Sequence, residues 1–208
     1  MTDTGHNVRI WGIIPAAGMS RRMGHPKQLL PYQGSTIAGA VARTLLTIDL
    51  SGVVLVTRTE LIDKLDLPAD SGIHIAINDN ADSEMIDSIR IGLSFLVQYN
   101  PAGGDGVLVV PADMPTLDAA SCRACIDAYV SDANHIVIAT YGGRRGHPMI
   151  FPFSMRGFID NLDGGLNMLP RICSQQVTTV EVNDPGVEFD IDTADDYDRL
   201  SHEESGLP

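Results

Sequence analysis

Between a short apolar run and Lys27 the chain reads Pro15-Ala-Ala-Gly-Met-Ser-Arg-Arg-Met-Gly24-His-Pro-Lys27. Ala16, Ala17 and Gly18 are small enough to let backbone N–H groups approach a ligand, and Arg21, Arg22 and Lys27 bring positive charge to the same loop. Amides that cradle oxygens, with cations that offset their charge, suit a polyphosphate. The loop is neither a Walker loop nor GxGxxG. On composition alone, an ordinary glycine-rich loop with solvated arginines fits equally well.

Two further places carry carboxylates where they could do chemistry. In Val110-Pro-Ala-Asp-Met-Pro115, Asp113 directly follows a hydrophobic run. A carboxylate there can hold Mg²⁺, which takes one or two protein carboxylates together with substrate phosphate oxygens. It can equally serve as a turn residue or helix cap. In Phe189-Asp190-Ile-Asp192-Thr-Ala-Asp-Asp196, Asp190 and Asp192 share a side if a strand continues through them. Asp192 or Thr193 could instead cap the last helix. Two carboxylates beside a basic glycine-rich loop point to a metal–polyphosphate site.

Other candidates have plainer explanations. Cys122 and Cys125 form a CxxC on a predicted helix, with no second pair and no histidine nearby, so they read as packed thiols, as does Cys173. His6, His25, His74, His135 and His202 show no ligand spacing.

The chain that must position these residues has 208 of them, with 44% hydrophobic and 20% charged. That is the composition of a globular protein, and the length of one domain over residues 1–208. With 14 Lys+Arg against 27 Asp+Glu, the net charge is -13, which excludes a nucleic-acid binder built on clustered basic residues. The charge is uneven. Residues 1–43 carry Arg9, Arg21, Arg22, Lys27 and Arg43 against Asp3 alone, whereas residues 181–208 carry ten acids against Arg199. The front end is therefore the part suited to accept an anion. No apolar run approaches the roughly 18 residues of a membrane span, and no apolar signal segment opens the chain. A reduced, cytoplasmic protein is the expectation.

Short apolar strands alternate with amphipathic helices. Strands are predicted at Val8–Ile14, Gly52–Thr57, His74–Asn78, Gly106–Val110, His135–Thr140 and Val177–Val182. Helices are predicted from a cap at Ser35 or Thr36 to about Leu46, over 83–97, from about Asp118 to Val130, near 154–161 and 165–173, and from about Thr193 onward. The alternation predicts an α/β three-layer sandwich with a mostly parallel, Rossmann-like central sheet. The stretch 142–176 is less regular and predicts a small irregular insertion or an antiparallel strand. Ligands in such sheets bind beyond the carboxyl ends of the strands, which is where the loop at 15–27, Asp113 and the 190–192 segment fall.

The run Ile14-Pro-Ala-Ala-Gly-x-Ser-x-Arg-Met-Gly-x-Pro-Lys-Gln-Leu-Leu-Pro-x-x-Gly-Ser-Thr36 resembles the opening signature of nucleotidyltransferases built on a Rossmann-like sheet. Pro111-Ala-Asp-Met-Pro115, Arg145-Gly-His-Pro-Met-Ile-Phe151 and Asp190-Ile-Asp-Thr-Ala-Asp-Asp-Tyr197 resemble the later motifs of the molybdenum cofactor cytidylyltransferase branch. The resemblance runs in order from about residue 9 to 200. It implies transfer of CMP from CTP to the terminal phosphate of molybdopterin, with release of pyrophosphate and with Mg²⁺ as cofactor. It implies that Ala16, Ala17, Gly18, Asn78 and Ser88 contact the nucleotide and that Arg22 and Lys27 meet its phosphates. Arg22, Lys27 and Asp113 would be the catalytic group, Asp113 and Asp192 the metal ligands, and His147 a neighbour of the second substrate. A molybdoenzyme or a cofactor-insertion protein would be the protein partner.

Ala-Ala-Gly, where guanylyl-transferring relatives usually have Ala-Gly-Gly, favours CTP over GTP. One stretch departs from the pattern. Cytidylyl-type relatives often read Ser-Ser-Ser-Leu/Ile-Arg-x-Gly-Leu, and here Ser88, Arg90 and Gly92 match while Glu84, Met85 and Asp87 do not. That departure keeps two sister reactions open, one with GTP and one with a sugar- or polyol-phosphate acceptor. A non-catalytic cofactor carrier is the remaining alternative.

Overall fold

The computed structural model describes residues 8–20, 23–68 and 72–205. Strand β1 (Ile10–Pro15) is followed by the short antiparallel pair β2 (Pro31–Tyr32) and β3 (Ser35–Thr36), then α1 (Ile37–Leu46) and β4 (Gly52–Thr57). Next come β5 (Ile73–Ile77), α2 (Met85–Leu96), β6 (Gly106–Val109), α3 (Ala119–Ser131) and β7 (Ile136–Tyr141). The chain ends with β8 (Arg144–Pro152), α4 (Arg156–Asp160), α5 (Leu169–Ile172), β9 (Val177–Glu181) and α6 (Ala194–Ser205). Seven strands form one sheet in the order β5-β4-β1-β6-β8-β7-β9. Strand β8 is antiparallel to β6 and β7, and every other neighbouring pair is parallel.

The α/β sandwich predicted from the alternating elements is the architecture found. Successive side chains along a strand point to opposite faces, so neighbours serve different cores. Ile14 packs with Val41 and Leu45 of α1 and with Cys122, Cys125 and Tyr129 of α3. Ile13 packs on the other face with Ile89, Leu93 and Leu96 of α2 and with Phe151. Each large side chain buried in this way contributes about 1.5–3 kcal/mol. Helix starts are set by local hydrogen bonds. Thr36 Oγ1 accepts from the Gly39 amide at 3.0 Å and Asp118 Oδ1 from the Ala120 amide at 3.0 Å.

Two glycines bring elements closer than a side chain would allow. A Cβ at Gly92 would lie 2.9 Å from Ile13 Cγ2, so α2 can sit directly on β1, with its first turn beside the loop that follows β1. A Cβ at Gly146 of β8 would overlap the carbonyl oxygen of Val187. Gly146→Ala therefore forces β8 and the Pro185–Val187 turn apart. Overpacking of this kind costs about 2 kcal/mol, and the melting temperature is expected to fall by roughly 5 °C or more in a calorimetric scan. An unchanged melting temperature would show that the turn moves freely.

The antiparallel strand expected in the less regular stretch is β8, whose apolar end, Met149–Phe151, follows a polar half, Arg144–Pro148, that shows no strand pattern of its own. One expectation is corrected. The last strand stops at Glu181, so Asp190 and Asp192 do not alternate on a strand; they lie in irregular chain before α6. Among the described residues, no helix is long and apolar enough to cross a membrane.

Candidate active site

Three loops at the carboxyl ends of β1 and β6 and before α6 are stitched together by backbone hydrogen bonds. The Ala112 amide donates to Pro15 O at 3.3 Å, and the Ile191 amide donates to Asp113 O at 3.1 Å. The second bond explains why residues far apart in sequence share one site: it pins Ile191 to the Asp113 peptide, and so places Asp190 and Asp192 on either side of it. The buried side chain of Ile191 packs with Tyr32, Ile37 and Leu200, which anchors the segment from below. Thr193 and Asp196 close it from the other side. Asp196 Oδ2 accepts from the Thr193 amide at 2.9 Å, and Thr193 Oγ1 accepts from the Asp196 amide at 3.2 Å. This reciprocal cap makes Thr193, not Asp192, the capping residue of α6. The Thr193 hydroxyl also donates to Asp196, holding that carboxyl below its ordinary range.

Asp192 is thereby left for the site. Lys27 Nζ lies 2.6 Å from Asp113 Oδ2 and 2.9 Å from Asp192 Oδ1. Asp113, Asp190 and Asp192 each offer an oxygen within 4.8 Å of the others. The Lys27 and Asp113 side chains are 19% and 18% exposed, so their attraction is only partly screened by water, whereas Asp192 is 47% exposed. Burial by itself would pull the Lys27 pKa down, but the charges and hydrogen bonds of Asp113 and Asp192 outweigh it and raise the pKa above the ordinary lysine value. Asp190 moves up from the usual carboxylate value, first through burial and then through the charges of Asp113 and Asp192. Three carboxylates against one ammonium leave an excess of negative charge that a divalent cation would offset. Asp113 Oδ1 is buried with no hydrogen-bond partner, which leaves a lone pair available for such a cation. The donor set, all oxygen and all carboxylate, suits Mg²⁺ or Mn²⁺.

The loop after β1 is held from behind. Gln28, buried, donates from Nε2 to Ala16 O at 2.9 Å and to Gly18 O at 3.0 Å. Ser20 Oγ accepts from the Lys27 amide at 2.9 Å, closing the loop at its other end. Ala16 and Ala17 are buried and Gly18 is exposed, and all three line a cavity of about 240 Å³ with Lys27, Ser88 and Asp113. Arg21 and Arg22 lie outside the described residues. Gln28 stands within the signature, yet nothing in its residue type announced this role. Gln28→Leu is expected to raise the nucleotide KM roughly tenfold through loss of two hydrogen bonds that preorganise the loop. Steady-state kinetics at saturating acceptor checks this, and an unchanged KM would show that the loop holds its shape alone.

Asn78 does not line either of the two cavities described here. It is buried, and its Nδ2 donates to Ser83 Oγ at 3.1 Å and Ser88 Oγ at 3.0 Å. Its oxygen accepts from the Asn80 amide at 3.3 Å. Asn78 thus holds the turn before α2 and the Ser88 side chain in place. Ser88 does face the cavity.

A second cavity, of about 720 Å³, adjoins the first, and Glu84, Met85, Pro111 and Asp113 line both. His147 lines the larger one, and its Nδ1 lies 3.3 Å from Val109 O. A carbonyl can only accept, so Nδ1 carries the proton. Burial lowers the pKa of the ring, against the Val109 hydrogen bond and the Asp113 charge, and keeps it neutral with Nε2 as an acceptor. Cys122 and Cys125 sit in the core under α3, and burial pushes the Cys125 thiol up to about 12 and raises that of Cys122 also. Neither is a reactive thiolate.

The chain matches the family described as "MobA-like NTP transferase domain" over residues 12–179. The purine catabolism protein PucB of Bacillus subtilis is 26% identical over 201 residues, which cover 91% of this chain and 94% of that protein. The nicotine blue oxidoreductase of Paenarthrobacter nicotinovorans is 26% identical over 202 residues, covering 92% and 96%. The crystal structure of Rv0371c from Mycobacterium tuberculosis superposes with a TM-score of 0.79 at 28% identity, covering 96% of this chain and 98% of that one. A structure of the same protein in complex with manganese has a TM-score of 0.73, covering 93% and 98%.

Proposed function

The chain belongs to the MobA-like NTP transferase domain family, and from that premise we propose that it transfers CMP from CTP to the terminal phosphate of a molybdopterin-type acceptor, with Mg²⁺. The observation that carries this reading is the meeting of two cavities at Asp113, the member of the carboxylate cluster that lines both. The smaller is lined by Ala16, Gly18 and Lys27 and suits the nucleotide; the larger, lined by His147, suits the acceptor; and Asp113 belongs to both. A group-transfer enzyme needs its two substrates to abut where charge develops.

Asp113, Asp190 and Asp192 would hold the divalent cation, which when bound supplies charge neutralisation at the α-phosphate. Asp190 is added to the two ligands expected from the family pattern because it lies within the same cluster. Lys27 presents its ammonium to the phosphates, and the N–H groups of the 16–18 loop, held in place by Gln28, cradle their oxygens. An oxygen of the acceptor phosphate forms the new bond to the α-phosphorus as the α–β bridging bond breaks and pyrophosphate leaves. That oxygen is already ionised near neutral pH, so no side chain need remove a proton from it. His147, neutral, then orients the acceptor through Nε2 rather than acting as a base.

The choice of CTP rests on Ala16-Ala17-Gly18, and the choice of acceptor on the resemblance of the later motifs. One observation favours the sister reaction with GTP: Glu84 lines the nucleotide cavity, and a carboxylate accepts the paired N–H donors of guanine well. The test is pyrophosphate release with Mg²⁺, molybdopterin and each of CTP, GTP, ATP and UTP. Release with CTP that requires the acceptor is expected. Release only with GTP would select the sister reaction, and tight molybdopterin binding with no release would select the carrier. No release and no binding with any pair would overturn the reading.

A further inference from the structure

The larger cavity holds more information about the acceptor than the family pattern uses. Arg145 of β8 and Arg171 in the last turn of α5 both line it, and neither lines the smaller cavity. An anion held by these two arginines is therefore not the triphosphate. Among the described residues, neither guanidinium has a carboxylate partner. Their neighbourhood shows that partners were available: Arg144, next in sequence to Arg145, pairs with Glu188 at 2.6 Å, and Glu188 lines the same cavity. Of the acids that line this cavity, Glu188 pairs with Arg144 and Asp113 with Lys27, so two arginines that line it from separate elements, neither paired with a carboxylate among the described residues, form a site suited to an anionic ligand. Met114, Ile138, Met149 and Leu166 line the same cavity, which suits an apolar or aromatic body. A volume of about 720 Å³ is large for a small polyol phosphate and falls in the range that encloses a drug-sized molecule.

Resting on the transferase reading, we infer that Arg145 and Arg171 form an anion subsite for a second negative group of the acceptor. The acceptor is thus a bulky, weakly polar phosphate ester with an anion distant from the phosphate that is attacked.

The experiment has a binding arm and a kinetic arm. By calorimetry, the full chain with Mg²⁺ and a non-hydrolysable CTP analogue is titrated with phenyl phosphate, 4-carboxyphenyl phosphate and molybdopterin. The carboxylated ester is expected to bind the wild type about tenfold more tightly than phenyl phosphate. The Arg145→Ala/Arg171→Ala double variant is expected to lose that advantage and to bind molybdopterin at least about tenfold more weakly, with partial recovery on Lys substitution. The kinetic arm expects a matching rise in the molybdopterin KM with the CTP KM unchanged. Molybdopterin affinity that is unchanged in the double variant, or a carboxylate advantage that survives it, overturns the subsite. Absence of pyrophosphate release by the wild type would overturn the transferase reading, while the calorimetric arm still decides the subsite.

Discussion

Asp113→Ala is expected to lower the rate of pyrophosphate release by at least about a thousandfold while leaving the protein folded, because it removes a carboxylate proposed to hold the cation that offsets charge developing during transfer. The fold should tolerate the change. Asp113 lies in a loop past the end of β6, and its side chain contacts Lys27, which keeps Asp192 at 2.9 Å. Removing one of three crowded carboxylates relieves like-charge repulsion but also loses the Lys27 pair, and because the two effects oppose each other the melting temperature is expected to change little. The buried Asp113 Oδ1, without a partner, adds a second readout. Titration with Mn²⁺ followed by electron paramagnetic resonance is expected to show binding weakened roughly tenfold or more in Asp113→Asn, which keeps the shape and removes the charge. Undiminished turnover together with undiminished Mn²⁺ binding would remove Asp113 from the metal site.

Lys27→Ala carries the next largest effect, and its signature differs. The variant loses the ammonium proposed for the phosphates, with an expected loss of about 10²–10³ in kcat/KM. Lys27→Arg is expected to restore little, since a planar guanidinium cannot reproduce a compact ammonium placed 2.6 and 2.9 Å from two carboxylates. In the folded protein, Lys27 is the cation within that cluster whose contacts are described. Its removal leaves Asp113, Asp190 and Asp192 to repel one another until a metal arrives. Mg²⁺ is therefore expected to raise the melting temperature of Lys27→Ala by more than that of the wild type, because ligand binding to the folded state offsets a larger repulsion. Equal shifts would show that Lys27 does not balance the cluster.

Much of this architecture was readable from the chain. The strand–helix alternation was legible because β1, β4, β6 and β7 are buried and nearly continuous in apolar residues, and because Thr36 and Asp118 mark helix starts. The loop at 15–27 and Asp113 were legible because both directly follow such strands. Strand β8 was only half legible, since Arg144–Pro148 alternates no apolar pattern and is held by pairing with β7. The side shared by Asp190 and Asp192 could not be read locally, because no strand continues through them. What groups Asp190 with Asp113 and Asp192 is a backbone hydrogen bond from the Ile191 amide to Asp113 O across 78 residues of chain, which no local pattern encodes. Asn78 and Gln28 show the same limit from both sides. Amide side chains can contact a ligand or hold a backbone, and only their surroundings decide which.

By itself, then, the sequence determined the layer order, the basic glycine-rich loop, the family and the carboxylates to examine, because apolar periodicity and strand-end motifs are local properties. Tertiary structure alone decided that Lys27 lies between Asp113 and Asp192, that two cavities meet at Asp113, and that Arg145 and Arg171 reach one of them together. Those are distances between segments remote in the chain. They are set by how α2, β8 and the turn at Pro185–Val187 pack against the sheet, and a packing of that kind exists only once the whole core has formed.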